Sequence, residues 1–425
     1  MPRKLQLKLS GILLLALFWS VYHEHYSGNF KRTVKIDGIG YNGYLPALFI
    51  HDGNLHWSFY ENKLDTLSVF EGKIQDFRKP YGNGRFINKY PLGLAIAQAP
   101  FWFSAWGYYG FSDHVSGYEP AFQAAVFINN IFWLFLGIWL FGIFLKKHHW
   151  RDNSIILFVA LFLFGTNLFH FITFDNCLTH PVTVGLSMMA FYLLSKFISS
   201  SRIIFFLSFL LIFAIIFCIR PVNILMVPFF LIYFYWGNKD RPKIELKHLA
   251  WAFAGVCLAL FLYLGSNKMQ TGSWLVYTYQ NEKFVWNEFH FLDVTFGYRC
   301  GVFLYTPILL TTVYLGFKSP NRKLVIGYLV SMLTTIYIIS CWNEFCYGCR
   351  LGNRPMVDYY IFFLIPLLNL KWRPGKPEKY LLVFLWIFFL YYNQILHYQY
   401  RHYLLDWCDV KKQQFWEVFL QTDNN

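Results

Sequence analysis

The chain has 425 residues, 56% of them hydrophobic and 14% charged, with a formal net charge of +14. Water-soluble domains carry about a quarter charged residues, so this composition excludes one and indicates an all-α polytopic membrane protein, a single transmembrane domain over 1–425. The positive balance does not indicate nucleic acid, because it follows from where the basic residues sit between apolar segments.

Residues 1–8 form a short basic tail with Arg3, Lys4 and Lys8. The first span is expected at 9–22. The flank VYHEHYSG lacks a small-residue cleavage site, so the segment reads as a retained span rather than a signal peptide. A first long outer loop, 23–118, follows. Within it, 90–111 is apolar but contains Pro91 and Pro100, and reads as either a bent surface helix or a span. Further spans are expected at 119–145, 154–173, 180–197, 202–219, 222–236 and 249–266. A second long outer loop covers 267–300. The last spans are expected at 301–317, 325–341, 356–370 and 380–396. The sequence shows no repeat and no separate soluble domain.

Lysine and arginine in short loops mark the cytoplasmic side. The basic loops are 1–8, 146–151, 196–202, 237–247, 318–323 and 371–379. They alternate correctly only if 90–111 does not cross fully. That gives eleven spans, with the N-terminus in the cytoplasm and the C-terminus outside. Most acidic residues and both long loops then face out, where chemistry over a rigid scaffold is usually placed.

One stretch organises the rest: 37–50, reading DGIGYNGYLPALFI. Gly38 and Gly40 beside Asp37 let the backbone approach a ligand closely. The run 44–50 is too short to cross a bilayer and is expected as an amphipathic surface helix. The stretch would then hold a carboxylate at the membrane–water boundary. The plainer reading of Asp37 is a solvated turn acid.

Four outward loops carry polar residues that surface decoration explains poorly. The first holds Asp37, Tyr41, Tyr44, Asn88 and Lys89. The second holds Asp175, Asn176 and His180. The third is Arg220-Pro221 at a hairpin apex. The fourth combines 270–282, 296–307 with Arg299, and 347–355 with Arg350 and Arg354. Ionisable residues at the membrane edge are costly and are functional candidates by default. Plainer readings stand beside them. Arg220 would snorkel at a helix end. Arg350 and Arg354 would anchor lipid headgroups. His180 would start a helix, and Asp175 would cap or turn. The eight cysteines lack the spacing of a disulfide scaffold. Cys346-x-x-Cys349, near Cys341, reads as half of a redox or metal motif without its second half. No cofactor is expected, and a divalent metal lacks an evident ligand set.

Taken together, several arginines and an acid converge at one membrane face. Arginine grips phosphate through a fork of N–H groups, and a nearby carboxylate serves as a general base. A lipid-linked phosphosugar would supply phosphate, apolar tail and leaving group at once.

Asp37 in the first outer loop resembles the catalytic acid of the GT-C superfamily of polyprenyl-phosphate-dependent glycosyltransferases, which includes protein O-mannosyltransferases and the lipid A aminoarabinose transferase. DGIGYNGYLPALFI, NKYPLGLAIAQAPF, IRPVN, the TGSW and FGYRCGVFLYTP block and YGCRLGNRP are similar to motifs of uncharacterised bacterial multispanning members, covering about 37–366. The resemblance implies a GT-C-like bundle of about eleven transmembrane helices in a bacterial inner membrane, with surface helices in the first periplasmic loop. It implies Asp37 as base and Arg220 and Arg354 as phosphate contacts, with Lys89, Tyr44, Asp175, His180 and Arg299 as further substrate-binding candidates. Many members carry a second acid where this chain has Gly38, which weakens a metal-dependent mechanism. Cys349 and Arg350 also stand where small residues are expected.

The leading expectation is an inverting hexosyl- or pentosyltransferase that moves sugar from a polyprenyl-phosphate donor to a glycan, lipid or protein acceptor, with membrane lipids as its surroundings and no nucleic acid. The alternatives are a transporter or flippase, and a polymerase or ligase, of lipid-linked glycans. A transporter needs polar residues near the midplane. The predicted spans are nearly pure Phe, Leu and Ile, which favours the enzyme.

Overall fold

The computed structural model describes residues 1–28, 30–35, 37–57, 77–82, 85–237, 241–370 and 375–422. Parts of the expected basic loops 237–247 and 371–379, and 58–76 of the first outer loop, lie outside them. The protein is an all-α membrane protein. Without water, an apolar run satisfies its backbone polar groups only by coiling into a helix.

In chain order the elements are α1 (Arg3–Gly28), α2 (Asp37–Asn42), α3 (Tyr44–Phe49), β1 (Arg78–Pro80), β2 (Phe86–Asn88), α4 (Gly93–Tyr108), α5 (Pro120–Lys147), α6 (Asp152–Phe164), α7 (Leu168–Thr173), α8 (His180–Ser200) and α9 (Ile203–Ile219). A 3₁₀ turn over Pro221–Met226 leads into α10 (Val227–Trp236). Then come α11 (Leu246–Thr271), α12 (Phe291–Phe296), α13 (Val302–Tyr305), α14 (Ile308–Gly316), α15 (Arg322–Ser340), α16 (Arg354–Val357), a 3₁₀ stretch over Tyr360–Leu367, α17 (Lys376–Arg401) and α18 (Lys412–Glu417). β1 and β2 pair antiparallel, Arg78 opposite Asn88.

Among the described residues, six helices are long and apolar enough to cross a bilayer: α1, α5, α8, α11, α15 and α17. Three shorter apolar stretches accompany them: Asp152–Phe164, Ile203–Ile219 and Pro221–Trp236. α1, α11 and α17 expose large apolar side chains such as Leu7, Phe253, Phe261 and Phe384, a surface that suits lipid and not water.

Three expected spans are not continuous helices. The span 154–173 breaks between Phe164 and Leu168. The span 301–317 breaks at Thr306-Pro307, because Pro307 has no N–H to donate and disfavours a helical Thr306. The span 356–370 is one turn followed by a 3₁₀ stretch containing Pro366. The polar groups freed by the breaks are met by side chains. Gln394 donates to Phe164 O at 2.6 Å, and Asn393 and Tyr392 donate to Tyr305 O and Leu304 O at 3.0 Å each. Asn167, at the first break, joins the other two. It donates to Leu351 O at 2.8 Å and accepts from Thr306 at 3.2 Å and Tyr360 at 2.8 Å.

Close backbone approach sets the helix crossings. A Cβ on Gly137 would stand 2.3 Å from Gly185 O, so α5 and α8 touch along their backbones. A Cβ on Gly93 would stand 2.2 Å from the Cys218 carbonyl carbon, so the start of α4 lies against the end of α9. α4 has 16 residues, about 24 Å of helix, which falls short of the roughly 30 Å hydrocarbon layer. α3 was expected to rest on the membrane surface. Instead, Tyr44, Leu45, Pro46 and Ala47 are buried in the protein, and Phe49 is its exposed contact, edge-on to Phe103 at 4.9 Å. Pro46 does not interrupt it, because the first-turn N–H it lacks has no helical partner.

The two ends of the bundle differ. At one end, Lys8 reaches Asn153 at 3.3 Å, Lys147 reaches Ser195 O at 2.7 Å and Asn321 reaches Trp236 O at 2.7 Å, which gathers the basic loops. The opposite end holds α2, the loop before α8, Arg220 and the loop before α16.

Candidate functional site

α2 begins at Asp37 because Gly38 N turns back onto Lys35 O at 2.9 Å. The helix is wedged between two loops. A Cβ on Gly38 would stand 2.4 Å from Cys177 Sγ, and one on Gly40 would stand 2.5 Å from the Tyr90 ring. Asn88 donates to Gly40 O at 2.7 Å. The glycines were expected to leave room for a ligand. The structure fills that room with protein, so they serve packing.

Asp37 and Arg354, 317 residues apart, form a buried ion pair between Asp37 Oδ2 and Arg354 Nη1. Asp37 Oδ1 makes no hydrogen bond among the described residues. Burial pushes the Asp37 carboxyl up, but the charges of Arg354, Arg350 and Lys89 outweigh it and hold it well below the usual carboxylate range.

A second buried acid, Asp358, lies four residues after Arg354. Its Oδ1 accepts from His180 Nδ1 at 2.7 Å, and its Oδ2 stands 3.6 Å from Arg220 Nη1. A further buried acid, Asp175, faces Arg350 Nε at 2.8 Å, His170 Nε2 at 3.1 Å and Lys35 Nζ at 3.4 Å. Burial raises the Asp175 carboxyl, and Arg350 and Lys35 more than reverse that, so it too stays well below the usual range. Beyond it, His170 Nδ1 lies 3.3 Å from His397 Nδ1.

Buried polar groups around Asp37 and Arg220 with no hydrogen-bond partner among the described residues include Arg354 Nε, Arg220 Nη1, Asp358 Oδ2 and the Tyr90 hydroxyl. Aromatic rings line this region. Tyr41 and Tyr90 lie 4.2 Å apart, and Trp342 stacks on Tyr347 at 5.9 Å. The Arg220 charge acts on the phenols of Tyr41, Tyr279 and Tyr347. Buried cationic N–H donors left without a partner among aromatic rings suit an anion.

No family model, curated protein or solved structure matches this chain.

Of the residues singled out from sequence, Asp37, Arg220, Arg354, His180 and Asp175 come together at one end. Lys89 stands at the rim, 3.3 Å from Glu282, with its charge felt by Asp37. Tyr44 is structural in its contacts: its hydroxyl donates to Tyr90 O at 2.7 Å and accepts from Gln270 at 3.1 Å. Arg299 stands apart, donating to Cys408 O at 2.8 Å and lying over the Phe345 ring. Arg350 and Arg354 are buried against acids, which the headgroup-anchor reading does not fit.

The cysteine reading is also corrected. Cys346 and Cys349 form no pair with each other. Cys346 is bonded to Cys300 and Cys349 to Cys408, while Cys341 is buried and free. Spacing hid this, because the partners are 46 and 59 residues away. Gly348, at φ +89°, makes the turn that sends the two cysteines to different partners. Among the described residues, no group of three or more His, Cys, Asp or Glu is arranged to hold a metal ion.

Sequence reasoning missed Lys35, His170, His397 and Asp358 as members of the network. The available signal was an ionisable residue inside an apolar run, as in VDYYIFFL and LFHFIT.

Proposed function

We propose that the chain is a glycosyltransferase embedded in a bacterial inner membrane, transferring sugar from a polyprenyl-phosphate donor to an acceptor hydroxyl at the periplasmic face. The observation that carries this reading is the buried Asp37–Arg354 pair beside Arg220, with donors on both arginines left open. Arg354 and Arg220 would hold the lipid phosphate. Asp37 Oδ1 would take the acceptor proton as the acceptor oxygen bonds to the anomeric carbon from the face opposite the phosphate. The bond from that carbon to the phosphate oxygen breaks, the electron pair leaves on the phosphate, and the two guanidiniums stabilise it. The charges of Arg354, Arg350 and Lys89 make Asp37 a weak base. A bound phosphate anion would offset their charge and restore its basicity when the donor is in place.

Eleven spans with a cytoplasmic N-terminus remain the orientation that suits the basic loops. The broken segments run beside the long helices, which supports counting them as crossings. Both disulfides lie at the end away from the basic loops, and disulfides persist on an oxidising side. The test is transfer of radiolabelled sugar from a polyprenyl-phosphate donor in reconstituted membranes. Asp37→Asn keeps the shape and removes the basicity. Wild-type turnover in that stably folded variant would falsify the base assignment.

A further inference from the structure

Asp358 was not among the candidate residues, yet it is the acid that two of them share. It is 1% exposed. It sits at the end of α16, while His180 opens α8 and Arg220 ends α9, so it joins three separate stretches of chain. Its two oxygens are used differently. Oδ1 is committed to His180 Nδ1 at 2.7 Å. Oδ2 faces Arg220 Nη1 at 3.6 Å, beyond hydrogen-bond reach, and neither atom has a hydrogen-bond partner among the described residues. The carboxylate therefore neutralises Arg220 and fixes its place without occupying its N–H. By contrast, Asp37 and Arg354 are in direct contact.

This asymmetry matters for a buried arginine. A fully hydrogen-bonded guanidinium has no donor left for a ligand. An arginine with no counter-charge would be pushed away by Arg354, whose charge acts on it. A carboxylate held just out of reach avoids both outcomes. His180 is the means of holding it: with Nδ1–H donated to Oδ1, Asp358 is prevented from rotating its carboxylate fully onto Arg220. The backbone supports the same geometry, because Arg220 N donates to Ile216 O at 3.3 Å and Arg220 O accepts from Asn223 N at 2.9 Å.

We infer that Asp358 is a positioning residue of the anion site: anchored by His180, it holds Arg220 so that Nη1–H stays open to a phosphate oxygen. The inference rests on the reading of Arg220 and Arg354 as phosphate contacts, and its test does not involve sugar transfer.

The probe is dodecyl phosphate, titrated calorimetrically into the full-length protein in neutral detergent. The variants are Asp358→Asn and Asp358→Glu. The sign of the change separates two roles. If Asp358 acts only through its charge, Asp358→Asn makes the site more positive and binding tightens. If it positions Arg220, Asp358→Asn weakens binding about tenfold or more, the range for losing one charge-assisted hydrogen bond. Asp358→Glu keeps the charge and shifts the carboxylate by one methylene, so it should also weaken binding. Unchanged or tighter binding in Asp358→Asn overturns the inference. If that variant does not fold, unchanged binding in Asp358→Glu overturns it. Wild-type protein that binds dodecyl phosphate and transfers no sugar would overturn the transferase reading alone.

Discussion

At the basic end of the bundle, two ion pairs are local and their side chains at least a third exposed. Lys146 meets Asp152 at 2.6 Å and Lys247 meets Glu245 at 2.7 Å, with side chains 34–35% and 58–59% exposed. At the opposite end, Asp37 meets Arg354 and His180 meets Asp358 across 317 and 178 residues, and all four are buried. Exposed pairs gain little, about 0–1 kcal/mol, because water screens them. Buried pairs carry a desolvation cost that a merely structural role seldom explains, since an apolar pair of similar volume would often be as stable. Burial of these pairs, and the long-range folding needed to bury them, separates them from the two at the basic end.

The sharpest way to break this comparison is one substitution at each end. Asp37→Asn should lower sugar-transfer turnover about 10²–10⁴-fold. Asp152→Asn, at the basic end, should leave it within a few-fold. Equal effects from the two would remove the distinction on which the site rests.

Arg354→Lys comes next. Lysine keeps a charge near Asp37 but lacks the planar fork and the Nε donor. The donor KM should rise about tenfold or more, read from steady-state transfer at unchanged expression.

The disulfides come third, and here the structure reverses what spacing suggested. Cys349→Ser with Cys408→Ser removes a tie on the loop that carries Arg350 and Arg354. Native disulfides commonly contribute about 2–4 kcal/mol. The unfolding temperature in detergent should fall, and dithiothreitol should produce a similar fall in the wild type. Alkylation mapping that finds all four cysteines reduced in freshly isolated membranes would remove the tie altogether.

The pH response follows from the depressed carboxyls of Asp37 and Asp175. In the unfolded chain they titrate near about 3.9. Above that value their contribution to stability is fully present. As pH falls through it toward their lower folded values, the unfolded state takes up protons first and stability drops. The unfolding temperature should hold from neutral pH to about 5 and decline below about 4, and Asp37→Asn should make the decline shallower.

The smallest effect is expected at Gln98 in α4. Its side chain is fully buried, and neither amide atom has a hydrogen-bond partner among the described residues. Replacing an orphaned amide by an apolar residue of similar size is nearly neutral or stabilising. Gln98→Leu should leave the unfolding temperature unchanged or slightly raised. A marked loss of sugar transfer in this stable variant would extend the site to α4.

The sequence alone determined that the chain is a helical membrane protein, because apolar runs in lipid have no alternative to helices. It also marked Asp37, Asp175, His180, Arg220 and Arg354, because an ionisable residue at a membrane edge is too costly to be incidental. Pro307 carried a local signal, its missing N–H, for the break in a span expected as continuous over 301–317.

Only the tertiary structure decided which charges meet. Asp37 gained Arg354, and Asp358 entered the site as the acid shared by His180 and Arg220. Tyr44 and Arg299 were assigned to hydrogen bonds elsewhere, and Cys346 and Cys349 to separate partners. Each of these depends on residues tens to hundreds of positions apart. Local propensity and spacing act over one or two helical turns, whereas pairing across the bundle is fixed by how the helices pack. The close approach of Gly93 to the end of α9, and of Gly137 to Gly185, is what brings those distant side chains to one end.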